Sequence, residues 1–161
     1  VPKYTEPMAA FVERFAADLT EAGMQRMASR VFACLLVSDE AALSSAELAE
    51  RLRISPAAIS GAVRYLAQVH LVTREREPGS RRERYRLLPN AWHESIANRD
   101  AVLRRWGSTM RAGIDVVGPA STAGRRVAET EEFMEFLLSE LHGILERWRE
   151  HRAAVSGRPA T

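Results

Sequence analysis

Six arginines, Arg74, Arg76, Arg81, Arg82, Arg84 and Arg86, alternate with Glu75, Glu77 and Glu83 around the pair Pro78-Gly79. Guanidinium groups keep their charge at every physiological pH and grip oxyanions in a fixed fork. A run of them on both sides of a turn either solvates an exposed loop or meets a polyanion. The net charge of +2 hides an asymmetry that bears on this choice. Residues 51–86 carry nine arginines against three glutamates, a local +6, which leaves −4 for the remainder. A basic middle in an acidic frame is the electrostatic footprint of a nucleic-acid reader, and charge clusters also occur as plain solvated faces.

Other chemistry is sparsely represented. The sequence contains no P-loop, dinucleotide glycine pattern, nucleophile elbow or metal-binding helix motif, so no enzyme activity and no cofactor is expected. His70, His93, His142 and His151 lack ligand spacing, so no metal site is expected either. The single cysteine, Cys34, sits in the apolar run "FACLLV" without a basic sequence neighbour and reads as core filler. It excludes an intrachain disulfide framework. Trp92, Trp106 and Met110 recur at helical spacing, which fits a core stripe or the lining of an effector pocket. The longest apolar run, residues 31–37, falls well short of the ~18–20 residues that cross a bilayer. The opening "VPKYTEP" has no secretory character, and the expected location is the cytoplasm.

The arginines need elements to hold them. Thr5 as N-cap, Glu6-Pro7, and apolar residues at Met8, Phe11, Val12, Phe15 and Leu19 predict a first helix that stops at Gly23. A broad apolar stripe predicts a second, buried helix from about Met24 to Val37. "SSAELAERL", capped by Ser45, and a helix capped by Ser55 with Pro56 at its first position follow in quick succession. Ile59, Val63 and Leu66 form the buried edge of the latter. "LVTRERE" and "RRERYRLL" then read as a two-stranded hairpin. An even-numbered loop sets Glu75 against Arg82 or Arg84 and Glu83 against Arg74 or Arg76. It also gathers Val72, Tyr85 and Leu87 on one face and turns Arg82, Arg84 and Arg86 away from the core, whereas an odd loop opposes like charges.

Two long helices complete the chain, one over about 91–117 and, after the break "GPASTAG" at 118–124, one of about thirty residues. Thirty helical residues span roughly 45 Å, more than one small core requires. A second copy of the chain is the simplest cover for the excess apolar length. The expected order is α-α-α-α-β-β-α-α, mainly helical: a winged helix-turn-helix with long N- and C-terminal dimerisation helices. The expected boundaries are 1–23, 24–89 as the DNA-binding lobe, 90–154, and 155–161 as a flexible tail. Small residues at the start of the Ser55 helix permit close approach to a major groove, and its positive end favours phosphate.

The segments "GMQRMASRVFACLL", "LSSAELAERLRISPAAISGAVRYL" and "REREPGSRRERYRL", with the closing "RRVAETEEFMEFLLSELHGILERW", resemble MarR-type regulators of the GbsR-like branch over roughly residues 5–150. The resemblance implies a homodimeric repressor of a palindromic operator in double-stranded DNA, released by a small-molecule effector, with residues 1–23 and 90–154 as the dimerisation helices. It implies Ser55, Ala57, Ser60 and Arg64 on the groove-facing helix, and Arg76, Ser80, Arg81, Arg82 and Arg84 on the wing. Two positions depart from the pattern: Ser80 stands where many wings carry aspartate, and Arg53 where the turn commonly has glycine or asparagine. The competing reading is a winged-helix module that binds an acidic protein partner.

Overall fold

The computed structural model describes residues 4–76, 83–89 and 91–156, without the side chains of residues 94, 96–98 and 156. Helix α1 (Glu6–Glu21) begins where Thr5 Oγ1 accepts the Met8 N–H at 3.4 Å. Gly23, at φ +103°, turns the chain out of it. Helix α2 (Arg26–Leu36) starts two residues later than its apolar stripe predicts. The Met24 N–H is still occupied in closing α1, on the Leu19 carbonyl at 3.0 Å.

A short strand not expected from the sequence follows, β1 (Ala42–Ser44). Helix α3 (Ser45–Leu52) is capped by Ser44 rather than Ser45. The reason is reciprocal: Ser44 Oγ accepts the Glu47 N–H while the Glu47 carboxylate accepts from the Ser44 N–H at 2.7 Å. A capping box needs its acid three residues after the cap, which only Ser44 satisfies. After a turn with Arg53 in the left-handed region (φ 52°), Ser55 caps helix α4 (Pro56–Gln68). Strands β2 (Val72–Arg76) and β3 (Glu83–Leu87) complete an antiparallel sheet of order β1-β3-β2.

These elements make one compact unit that ends at Ser95. Its core joins Val12 and Ala16 of α1 with Phe32 and Leu35 of α2, Leu48 of α3, and Ile59, Val63 and Leu66 of α4. Val72 and Tyr85 close it from the sheet side. Burial of these side chains, at about 1.5–3 kcal/mol each, supplies most of the drive to fold.

Helix α5 (Ala91–Val117) leads into the second unit, from Ile96 onward, and helix α6 (Thr122–Ser156) runs back along it. The antiparallel register is visible in the partners: His142 lies 2.9 Å from Asp100, and Arg111 bonds Glu131 and Glu135. At two glycines the space between the helices would hold one further methyl group in ordinary contact. A methyl group added at Gly107 would sit 3.7 Å from Met134 Cβ, and one at Gly113 3.8 Å from a Val127 methyl. At the turn, a Cβ on Gly124 would fall 2.1 Å from the Gly118 carbonyl oxygen, so no other residue fits. Ser121 caps α6, its Oγ accepting the Gly124 N–H at 2.9 Å. Residues 157–161, most of the expected tail, lie outside the described residues.

Candidate nucleic-acid interface

Helix α4 divides into two faces. Ile59, Ala62, Val63 and Leu66 are buried, while Ala57, Gly61, Arg64 and Gln68 form an exposed stripe on the other side. The division follows from the 3.6-residue period. Ser55 is exposed, and its Oγ accepts the Ala58 N–H at 3.2 Å. Pro56 has no N–H to give, so the Ala57 N–H is the first-turn donor left without an intrahelical acceptor. It points along the positive end of the helix, where an oxyanion is favoured. Ser60 is half-buried beside the stripe. Arg64 has no ion-pair partner among the described residues.

The hairpin has one of the registers that its charges allow: Glu75 lies opposite Arg84, and Arg76 opposite Glu83. Val72, Tyr85 and Leu87 share the inner face, with Val72 and Tyr85 buried. Arg74 lies on this face too, over the Tyr85 ring at 5.9 Å and 4.0 Å from Glu83. Arg76 is exposed without an ion-pair partner among the described residues. Ser80, Arg81 and Arg82 lie outside the described residues.

Arg84 and Arg86 turn away from the Tyr85 face, and both are engaged within the chain. Arg84 Nη1 is 2.7 Å from the Glu40 carboxylate, and its Nη2 donates to the Ala42 carbonyl at 2.9 Å. Arg86 donates to Glu75 and to the Glu40 carbonyl, each at 2.7 Å. These two arginines bind the base of the hairpin to the turn before β1. The sequence hid this because Glu40 lies more than forty residues away.

Trp92 belongs to the first unit, where it meets Phe32 edge-on at 5.2 Å and is about half exposed. Trp106 is exposed and Met110 half-buried, both in the second unit. An open cleft of about 1130 Å³ in the first unit is lined by Tyr4, Glu13, Arg30, Glu50, Arg51 and neighbours, and not by Trp92. Burial pushes the Cys34 thiol up to about 11, against an opposing charge and hydrogen bond from Arg51. Arg51, remote in sequence, is thus a basic neighbour that the run "FACLLV" could not reveal. Among the described residues no three His, Cys, Asp or Glu side chains group as a metal site, and no helix is long and apolar enough to cross a membrane.

Gln68 was absent from the sequence-based candidates. Its signal is its place one turn beyond Arg64 on the exposed stripe.

A model of the MarR family matches residues 22–83, and a model of MmpR5-like MarR family transcriptional regulators matches residues 90–151. The chain is 28% identical over 141 residues to the HTH-type transcriptional regulator MmpR5 of Mycobacterium tuberculosis, covering 87% of this chain and 86% of that protein. It is also similar to a crystal structure described as a transcriptional regulator, with TM-score 0.79 and 28% identity over 89% of this chain and 99% of the other.

Proposed function

We propose that this chain is a winged helix-turn-helix transcriptional regulator of the MarR family, a homodimeric repressor of a palindromic operator that is released by a small-molecule effector. The observation that carries DNA reading is the solvent-facing stripe of α4, with the Ala57 amide at its positive end and Arg64 uncommitted further along. Ser55, Ala57 and Ser60 contact phosphate and sugar, and Arg64 with Gln68 reaches base edges. Arg76, Ser80, Arg81 and Arg82 form the wing contacts. Arg84 belongs to the same set only by exchanging Glu40 for a phosphate.

Dimerisation through residues 1–23 and 90–154 is supported by exposed apolar side chains on a single chain. Trp106, Phe133 and Phe136 are 51%, 55% and 58% exposed, and Ile144 and Trp148 continue the series along α6. An apolar surface of that extent on a soluble chain marks an interface. Trp92, Trp106 and Met110 are the proposed effector contacts. The "GMxRMxxR" and "PGSRRxxYR" segments support placement in the GbsR-like branch, while the C-terminal half matches an MmpR5-like model. Action in the cytoplasm follows from the role.

Selection of bound fragments from genomic DNA, followed by footprinting, tests the reading. Two protected half-sites about one helical turn apart are expected. Replacing both Arg81 and Arg82 with alanine should weaken binding to every duplex and flatten the salt slope by roughly 0.9 per lost phosphate contact. Unchanged affinity in the double variant would refute the wing, and retention of acidic protein but not DNA would favour the interaction-module alternative.

A further inference from the structure

Arg30 of α2 stands at a junction of three helices. Its Nε lies 2.9 and 3.0 Å from the two carboxylate oxygens of Glu13 on α1. Its Nη2 contacts the same carboxylate and also donates to the Leu52 carbonyl at 2.8 Å. Leu52 is the last residue of α3, immediately before the turn into α4.

That carbonyl is where the α3 terminus is otherwise open. Among the described residues no turn or loop N–H is bonded to it. The Arg30 guanidinium supplies a donor to this last carbonyl, and its positive charge suits the negative end of a helix. The Arg30 side chain is 16% exposed, so its bonds are shielded from water, whereas Glu13 is 52% exposed and can move with α1.

We propose that Arg30 is a positioning residue for DNA binding: it fixes the α3–α4 turn, and hence the presentation of α4, while Glu13 ties that turn to α1. The proposal rests on the reading of α4 as the DNA-facing helix. The chemistry makes the link directional. When Glu13 is withdrawn, a largely buried guanidinium loses its counter-charge and turns outward for solvent, which weakens its hold on Leu52. A displacement of α1 is thereby felt at the turn without any contact between α1 and DNA.

The test compares wild type, Glu13→Gln, Arg30→Lys and Arg30→Gln. Each is measured for affinity to the selected operator and to unrelated duplex, at a temperature where circular dichroism reports every variant folded. Hydrogen exchange of the Arg53 and Ile54 amides is followed in the free proteins. Arg30→Gln should lose roughly tenfold or more in operator affinity and Glu13→Gln roughly threefold, the scale of single coupling residues. Affinity for unrelated duplex should change far less, and exchange at Arg53 and Ile54 should quicken. Glu13→Gln alters a half-exposed side chain and keeps the test alive if the Arg30 variants unfold. Wild-type operator affinity in all folded variants, with only the melting temperature lowered, would make Arg30 merely structural and end the proposal. Failure of the wild-type protein to bind any DNA would instead overturn the functional reading, and this inference with it.

Discussion

Gly61→Ala should make the protein more stable and a poorer DNA binder, and the opposed signs are the point. Gly61 lies in the middle of α4, on its exposed stripe. A Cβ built there meets nothing within 4 Å, and its φ is not in the left-handed region that requires glycine. Glycine in a helix interior is about 0.8–1 kcal/mol less favourable than alanine. Nothing within the chain offsets that cost. Alanine should therefore add about 0.5–1 kcal/mol, which for a chain of this size raises the melting temperature by roughly 1–4 °C. If the glycine is retained so that a duplex can come close, an inserted methyl group collides with it. Overpacking penalties of about 1–3 kcal/mol correspond to a five- to more than hundredfold loss in affinity. Thermal unfolding by circular dichroism and fluorescence anisotropy with labelled operator read the two quantities separately, and Gly61→Leu extends the series. A stabilised variant with unchanged affinity would refute the reasoning about close approach. A destabilised one would refute the reasoning about open space.

Other expectations follow from single residues. Arg53 holds a left-handed conformation that costs an L-residue about 1–2 kcal/mol, so Arg53→Gly should raise stability by about 1 kcal/mol in urea unfolding. Burial raises the Glu47 pKa, but hydrogen bonds from the Ser44 amide and hydroxyl, with Arg84 and Arg51 nearby, outweigh it and hold the carboxyl below its ordinary value. Its contribution is therefore complete above the unfolded glutamate pKa of about 4.3 and lost as pH falls through the lower folded value. The stability gap between wild type and Glu47→Gln should stay constant from pH 7 to 5 and close below pH 4. With its thiol pushed up to about 11, Cys34 should resist alkylation in the native protein at pH 8 and react once on unfolding. Rapid native labelling would refute its place in the core.

Most features governed by a local rule were legible in the sequence. Thr5 and Ser55 cap the helices that their spacing predicts, and α5 spans Ala91–Val117 as its apolar stripe and flanking Pro89 and Gly118 require. Charge alternation selected the even-numbered loop, and the observed pairing of Glu75 with Arg84 and of Glu83 with Arg76 is one of the registers it allowed. Long-range features escaped. Strand β1 has three residues, too few for periodicity, and exists because Leu43 pairs with Tyr85 of a strand forty residues later. The same distance concealed Glu40 as the partner of Arg84, so a residue that looked available for a phosphate proved to be engaged. The capping box at Ser44 was readable from Glu47, but the doubled serine favoured its neighbour.

The close seam between α5 and α6 has a bearing on where a regulatory molecule can lodge. At Gly107 and Gly113 the helices are separated by little more than one carbon's width, and Gly124 leaves the bend no slack. No guest of drug-like dimensions fits within that hairpin without prising it apart. A ligand drawn to Trp106 must therefore come in from the outside of the pair, where a second chain could form the other wall.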